Sequence, residues 1–297
     1  MPPAASVEAG PQFLVAGHVV QDLLSEDGSR WRLGGAAAYA SLLARNLGFR
    51  TAVLTAAAPD VALQELLPGI ELRIVDSPAT TCFRNVYGPD TRRQFIPQRA
   101  APLTASDLPG AWRDTPIVLL GPVAGEIDDS LARAFGPDSL VGVGAQGWLR
   151  ETGPDAGVRP VHPSDWRWEP VLDAARALFL SDEDLSLEDA PAALAEWSTH
   201  VDVLAFTRGY GGADVCYRGE WRRIAAFPAQ PVDLTGAGDI FATGFLARFY
   251  ETGDAWEAAR FASCAASFVV EGEGVGGMPQ RAQIEERLAR YPEVSAR

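Results

Sequence analysis

The chain of 297 residues contains no lysine: its 25 basic residues are all arginine, set against 39 aspartates and glutamates for a formal charge of -14. A phosphate loop ending in Gly-Lys-Ser/Thr, a pyridoxal Schiff base and the phosphate-pairing lysine of protein kinases are therefore excluded. The charge also argues against nucleic acid, whose phosphates demand a basic face, and favours solubility instead. Histidine is scarce, and His18, His162 and His200 are too scattered to suggest a transition-metal site. Cysteine is scarce as well. Cys82, Cys216 and Cys264 are widely spaced among apolar neighbours, which reads as reduced thiols in a cytoplasmic protein. No run of about 20 apolar residues is present, so no membrane-spanning helix is expected. Residues 1–10 have no basic stretch ahead of an apolar one and read as a disordered leader without an export signal.

What the chain does have is hydrophobic content, 47%, enough for one large α/β core. Short β-rich runs alternate with helical patterns, as in a parallel sheet covered on both faces. Core strands are expected at 13–16, 51–55, 117–120, 140–143, 177–180 and 203–207, and helices at 36–47, 240–250, 255–270 and 280–290. Gly48 caps the first of these helices. Between Glu71 and Arg99 the pattern changes to a small antiparallel insertion with a turn around Gly88-Pro89-Asp90. Two GxGxxG matches, Gly142 to Gly147 and Gly272 to Gly277, invite a dinucleotide reading. The first runs into a Gly-Pro segment and the second follows a helix, so neither has the strand, turn and helix order that a Rossmann site needs.

The most informative stretch is Asp233-Leu234-Thr235-Gly236-Ala237-Gly238-Asp239, a glycine turn that feeds an apolar helix beginning at Ile240. The amides of Gly236, Ala237 and Gly238 lack helical partners and carry the positive end of the helix dipole, which suits an anion. Asp239 beside them could act as a base toward an alcohol, with the amides holding charge on a transferring phosphoryl group. The helix terminus favours its ionised form at neutral pH. Read without chemistry, the same residues are a glycine turn with an acidic first-turn residue.

DLTGAGDIFATGFL resembles the C-terminal signature of the ribokinase-like (PfkB) carbohydrate kinases, and Leu33-Gly34-Gly35-Ala36-Ala37-Ala38-Tyr39-Ala40 resembles the glycine-pair motif near their N-terminus. The resemblance runs from about Phe13 to Leu288. It implies a ribokinase-like three-layer sandwich over 11–297, with a central, mostly parallel sheet and a small β lid over the sugar site, built from 18–33 and 69–100. It also implies ATP as phosphoryl donor, Mg2+, and K+ in some members. Asp22, Gly34 and Gly35 fall at its sugar-binding positions. Thr207, Gly209 and Gly212 match its Thr-x-Gly-x-x-Gly segment beside the nucleotide, and Gly274 and Gly276 its glycine loop lining the nucleotide pocket. On local sequence alone the same positions also read as turns and a solvated aspartate.

Two departures bear on function. The metal-linked Asn-x-x-Glu of the family stands here as Ser181-Asp182-Glu183-Asp184, leaving Asp184 as the magnesium candidate; the run also reads as a helix start. Asp233 resembles the position that helps bind a monovalent cation in some relatives, and also reads as a cap of the turn. Where many relatives have Asn, this chain has Tyr39. Several stretches resemble the myo-inositol kinase branch, among them Gly17 to Asp22, Thr81 to Tyr87, Arg93-Gln94, Gly121 to Glu126 and Ala145 to Arg150. A cyclitol ring needs several hydrogen-bonding side chains and one flat face, which Asp22, Asn85, Arg93 and Tyr39 could supply, although Tyr39 also reads as a core ring. Arg150, shortly after a strand end, could contact phosphate, but reads more readily as solvent-facing. The expected activity is a kinase for a small polyol such as myo-inositol, working as a monomer or homodimer without nucleic acid or membrane. The alternatives are a kinase for a furanose sugar or nucleoside, or a non-catalytic ligand binder.

Overall fold

The computed structural model describes residues 10–87 and 92–294. The expected leader lies outside the described residues except for Gly10, and so does the expected turn at Gly88-Pro89-Asp90.

The chain opens with β1 (Phe13–Ala16), β2 (Val20–Leu23), β3 (Trp31–Gly34), α1 (Ala36–Asn46), β4 (Thr51–Ala57), a short α2 (Leu63–Leu66) and β5 (Glu71–Asp76). It continues through β6 (Thr81–Tyr87), β7 (Arg92–Gln98), β8 (Ile117–Leu120), α3 (Asp129–Ala132), β9 (Leu140–Gly144), β10 (Arg150–Thr152), β11 (Val158–Pro160) and α4 (Glu169–Leu172). Next come β12 (Ala177–Ser181), α5 (Ala190–Trp197), β13 (Val203–Thr207), β14 (Ala213–Tyr217) and β15 (Glu220–Ile224). The last helices are α6 (Ala237–Thr252), α7 (Ala255–Val269) and α8 (Arg281–Arg290).

Nine strands form the main sheet in the order β15-β14-β13-β12-β9-β8-β1-β4-β5, parallel from β13 to β5, with β14 and β15 antiparallel at one edge. Its central strands are buried on both faces, which is why they read as unbroken apolar runs. Period-two alternation sorts their side chains. Phe13, Val15, Ile117 and Leu119 join the core under α1, α6 and α7, while Leu14, Ala16, Val118 and Leu120 join a second core with Trp197 of α5. α6 and α7 pack closely at Gly244, where an added Cβ would lie 3.2 Å from the backbone of Ala262.

A second sheet, in the order β3-β2-β6-β7, forms the lid. The expected lid boundary is corrected at β5: the stretch from Glu71 pairs in parallel with β4 as the edge of the main sheet, so the lid strands are 20–34 and 81–98. β5 has one face half-open to solvent, and that alternation imitates an antiparallel strand. A buried polar joint ties lid to body. His18 lies 2.7 Å from the Thr81 hydroxyl through Nδ1 and 2.9 Å from the Ala101 carbonyl through Nε2. Beside it the Glu126 carboxylate accepts from the amides of His18, Val123 and Ala124.

Candidate active site

The loops that follow β1, β8, β9, β12 and β13 open at one end of the sheet, the usual place for a ligand in an open α/β fold. The lid covers them there and encloses a cavity of about 340 Å³.

At its centre is the start of α6. The helix begins at Ala237, three residues earlier than expected, so Asp239 sits in its first turn. Gly236 is the N-cap with φ 81°, a left-handed conformation, and no side chain caps the helix. A Cβ on Gly236 would also lie 2.3 Å from the Tyr39 ring, so glycine is required there twice over. The first helical bond runs from the Ile240 amide to the Gly236 carbonyl. The Ala237 amide donates to the Leu234 carbonyl at 3.3 Å, which corrects its expected freedom; the amides of Gly236 and Gly238 have no partner among the described residues.

Asp239, half-buried, lines the cavity. Burial pushes its carboxyl up to about 7; the charge of Asp184 adds to this and Arg150 works against it. This shift runs against the expectation that the helix terminus keeps Asp239 ionised at neutral pH. Asp184 follows β12 and is buried. Its Oδ2 accepts from the Ser181 amide and hydroxyl at 2.9 and 2.8 Å, and its Oδ1 lies 3.2 Å from Arg150 Nη2. Arg150 is not solvent-facing: its side chain is 11% exposed, and its Nη1 donates to Gln94 Oε1 at 3.2 Å.

Oδ2 of Asp184 thus accepts two hydrogen bonds and Oδ1 one, from Arg150, which leaves an acceptor position on Oδ1. No cluster of three or more His, Cys, Asp or Glu able to hold a metal occurs among the described residues. Asp233 is likewise engaged, on Oδ1 by the Thr235 amide and hydroxyl and on Oδ2 by the Gly274 amide and Arg32. Burial alone would raise its pKa, but these partners hold its carboxyl below the usual range. An arginine side chain thus stands beside the carboxylate expected to serve a monovalent cation.

On the lid side the cavity is lined by Asp22, Gly35, Tyr39, Phe83, Asn85 and Gln94. Gln94 Nε2 donates to Asn85 Oδ1 at 3.0 Å, and the two residues are cross-strand partners. Gly34 does not open space for a ligand: a Cβ there would lie 2.4 Å from Asp22 Oδ2, so its missing side chain makes room for that carboxylate. Tyr39 is fully buried, its ring wedged under Gly236 and its hydroxyl without a hydrogen-bond partner among the described residues. Arg93 is corrected by strand alternation. It pairs with Val86 and lines an adjoining cleft with Asp155 and Arg159 but not this cavity, whereas Gln94 lines both, as do Arg150 and Asp184.

On the opposite side Thr207, Gly209 and Gly212 line the cavity beyond Asp239. Gly274 and Gly276 do not. They belong to a 3-10 turn after α7, where Gly274 supports Asp233. Part of the cavity wall is apolar, formed by Phe227, Pro231, Leu234, Ala266 of α7 and Val270 just after that helix, and Leu234 is 51% exposed. Gln94 and the inward place of Arg150 were missed by sequence reasoning. The period of β7 held the signal for Gln94; nothing local held one for Arg150.

Residues 174–281 match the profile of the pfkB family carbohydrate kinases. The ribokinase of Bacillus subtilis is 48% identical over 67 residues, 22% of this chain and 23% of that protein. The inositol 3-kinase of Zea mays is 28% identical over 260 residues, 80% of this chain and 66% of its own length. Each match thus spans less than two thirds of the relative. Among solved structures, a pyrophosphate-dependent kinase in the ribokinase family, complexed with a pyrophosphate analogue and myo-inositol, superposes with a TM-score of 0.77 at 22% identity, covering 92% of this chain and 99% of that one. The ribokinase of Arabidopsis thaliana complexed with ribose and ATP gives 0.73 at 22%, covering 94% and 99%. The glycine turn that opens α6 lies inside the matched profile, so residues 174–281, the part of the chain that holds this turn, resemble the pfkB family carbohydrate kinases.

Proposed function

We propose that the protein transfers the terminal phosphoryl group of ATP to one hydroxyl of a small polyol, with myo-inositol as the acceptor. One observation carries the reading: Asp239 stands at the unpartnered amides of Gly236 and Gly238, with hydrogen-bonding side chains of the lid on one side and the Thr207 to Gly212 ledge on the other. The acceptor hydroxyl gives its proton to the Asp239 carboxylate, and its oxygen forms the new bond to phosphorus. The bond from that phosphorus to the bridging oxygen breaks, and ADP leaves with the electron pair. The two amides stabilise the charge on the migrating group, and Arg150 adds a positive charge near Asp239. A magnesium ion would be held near Asp184 through water and would supply neutralisation of the donor's phosphate charge.

The acceptor reading is supported by Asp22, Asn85 and Gln94 beside the flat Phe83 and by the similarity to an inositol 3-kinase along most of the chain. The donor reading is supported by the apolar slot of Phe227, Pro231, Leu234 and Ala266, which suits the flat base of a nucleotide and offers a bare pyrophosphate nothing.

The test crosses ATP and pyrophosphate with myo-inositol, ribose, fructose and adenosine, each with and without magnesium. Turnover is expected with ATP and myo-inositol, and Asp239→Asn should lower it by about 10³-fold or more while donor binding moves by less than about threefold. Normal turnover in Asp239→Asn would overturn the role of that carboxylate. Preference for pyrophosphate would overturn the donor, preference for a furanose or nucleoside the acceptor, and thermal stabilisation by ligands without any turnover would point to a binding protein.

A further inference from the structure

Arg32 leaves β3 of the lid and reaches the body of the protein. Its Nη1 lies 2.8 Å from Asp233 Oδ2, and its Nε lies 3.8 Å from Asp22 Oδ2. The rest of the Asp233 carboxylate is taken by Thr235 and Gly274, so the group that fixes the start of the glycine turn has a full set of donors once Arg32 is counted. Arg32 is held closely there. A Cβ on Gly274 would stand 3.6 Å from its Cδ and 3.9 Å from the Tyr39 hydroxyl. Arg32 Nε and the Tyr39 hydroxyl are both buried without a hydrogen-bond partner among the described residues, which marks a polar compartment between the lid, α1 and the turn.

We propose that Arg32 is a positioning residue that acts as a built-in cation. It holds Asp233, and through it the glycine turn, in place of a dissociable monovalent ion. The inference rests on the reading of that turn as the phosphoryl-binding element. A guanidinium meets a carboxylate with directional donors, which a spherical ion lacks. It also differs from an ion in being anchored elsewhere: Asp22 and Arg32 are direct cross-strand partners of β2 and β3. An acceptor that engages Asp22 therefore acts on the same guanidinium that holds the donor turn, which ties occupancy of one side of the cavity to the geometry of the other.

The experiment compares wild type, Arg32→Ala and Arg32→Lys in choline, sodium and potassium chloride at about 100 mM. It reads melting temperature without ligand and, separately, donor KM and kcat. Wild type is expected to melt within about 1 °C in all three salts, with donor KM constant to within about twofold. Arg32→Ala should raise donor KM about tenfold in choline, the scale of one lost charge-assisted hydrogen bond, and regain at least about threefold in potassium together with about 2 °C in melting temperature. Arg32→Lys should stay close to wild type in every salt. A potassium-dependent rise in wild-type melting temperature or activity would overturn the proposal. So would an Arg32→Ala variant equal to wild type in choline, or Ala and Lys variants equally impaired in all salts, which would reduce Arg32 to packing. Absence of turnover in wild type with every donor and acceptor would count against the kinase reading alone, because the melting temperatures without ligand still decide what Arg32 does.

Discussion

With its carboxyl near 7, Asp239 is about half ionised at neutral pH. If its ionised form takes the acceptor proton, kcat/KM should rise about tenfold per pH unit below 7 and level off above it, and the residual rate of Asp239→Asn should lack that dependence. Stability moves the other way. The folded-state pKa lies above the ordinary value of 3.8, so between about pH 4 and 7 the folded chain holds a proton that the unfolded chain has released, and stability falls as pH rises through that window. Asp239→Asn removes the charge that burial disfavours. It should raise the melting temperature at pH 8 by about 4 °C and at pH 5 by about 1 °C or less. A variant that melts lower than wild type at pH 8 would mean that the carboxylate is stabilised by contacts its surroundings do not reveal.

At the scale of elements, β6 and β7 present alternate residues to different sides. Asn85→Ala or Gln94→Ala should raise acceptor KM about tenfold and leave donor KM within about twofold, whereas Arg93→Ala should change neither. An equal effect of Arg93→Ala would contradict the assignment of faces. The same alternation explains what the sequence conveyed and what it withheld. β1, β8 and β13 were legible to the residue because strands buried on both faces leave uninterrupted apolar runs. α6 and α7 were legible because their apolar surfaces are nearly continuous. β5 was assigned to the wrong sheet because an edge strand with one open face carries the same period as a lid strand. Within the site, the glycine turn could be read locally, since its conformation is set by Gly236 itself. The contacts of Arg32 with Asp233 and of Arg150 with Asp184 join distant segments, so no local pattern announces them.

At the scale of the whole molecule, the three free cysteines sample three regions: Cys82 the lid, Cys216 the edge of the main sheet, and Cys264 the packing of α7. All are buried, and burial raises each thiol pKa, that of Cys264 to about 12. A thiol reagent should therefore label none of them rapidly in the native state. Cys82 should react at least about tenfold faster than the other two, because the small sheet can open without the main core. Equal rates at all three would mean that both sheets unfold as one unit. The register of the small sheet indicates how it can move. Val20 stands opposite both Gly34 and Thr81, and Cys82 opposite Gln98, so every chain crossing between the two sheets falls near one row. A plate fastened along that row, and held beyond it by Arg32 to Asp233 and by the Ile96 amide to the Ala156 carbonyl, tilts about that line once those two contacts release. It behaves as a cantilever, whose outer rim sweeps the widest arc while the fastened row stays nearly still, so that lengthening the rim extends the sweep without displacing the pivot.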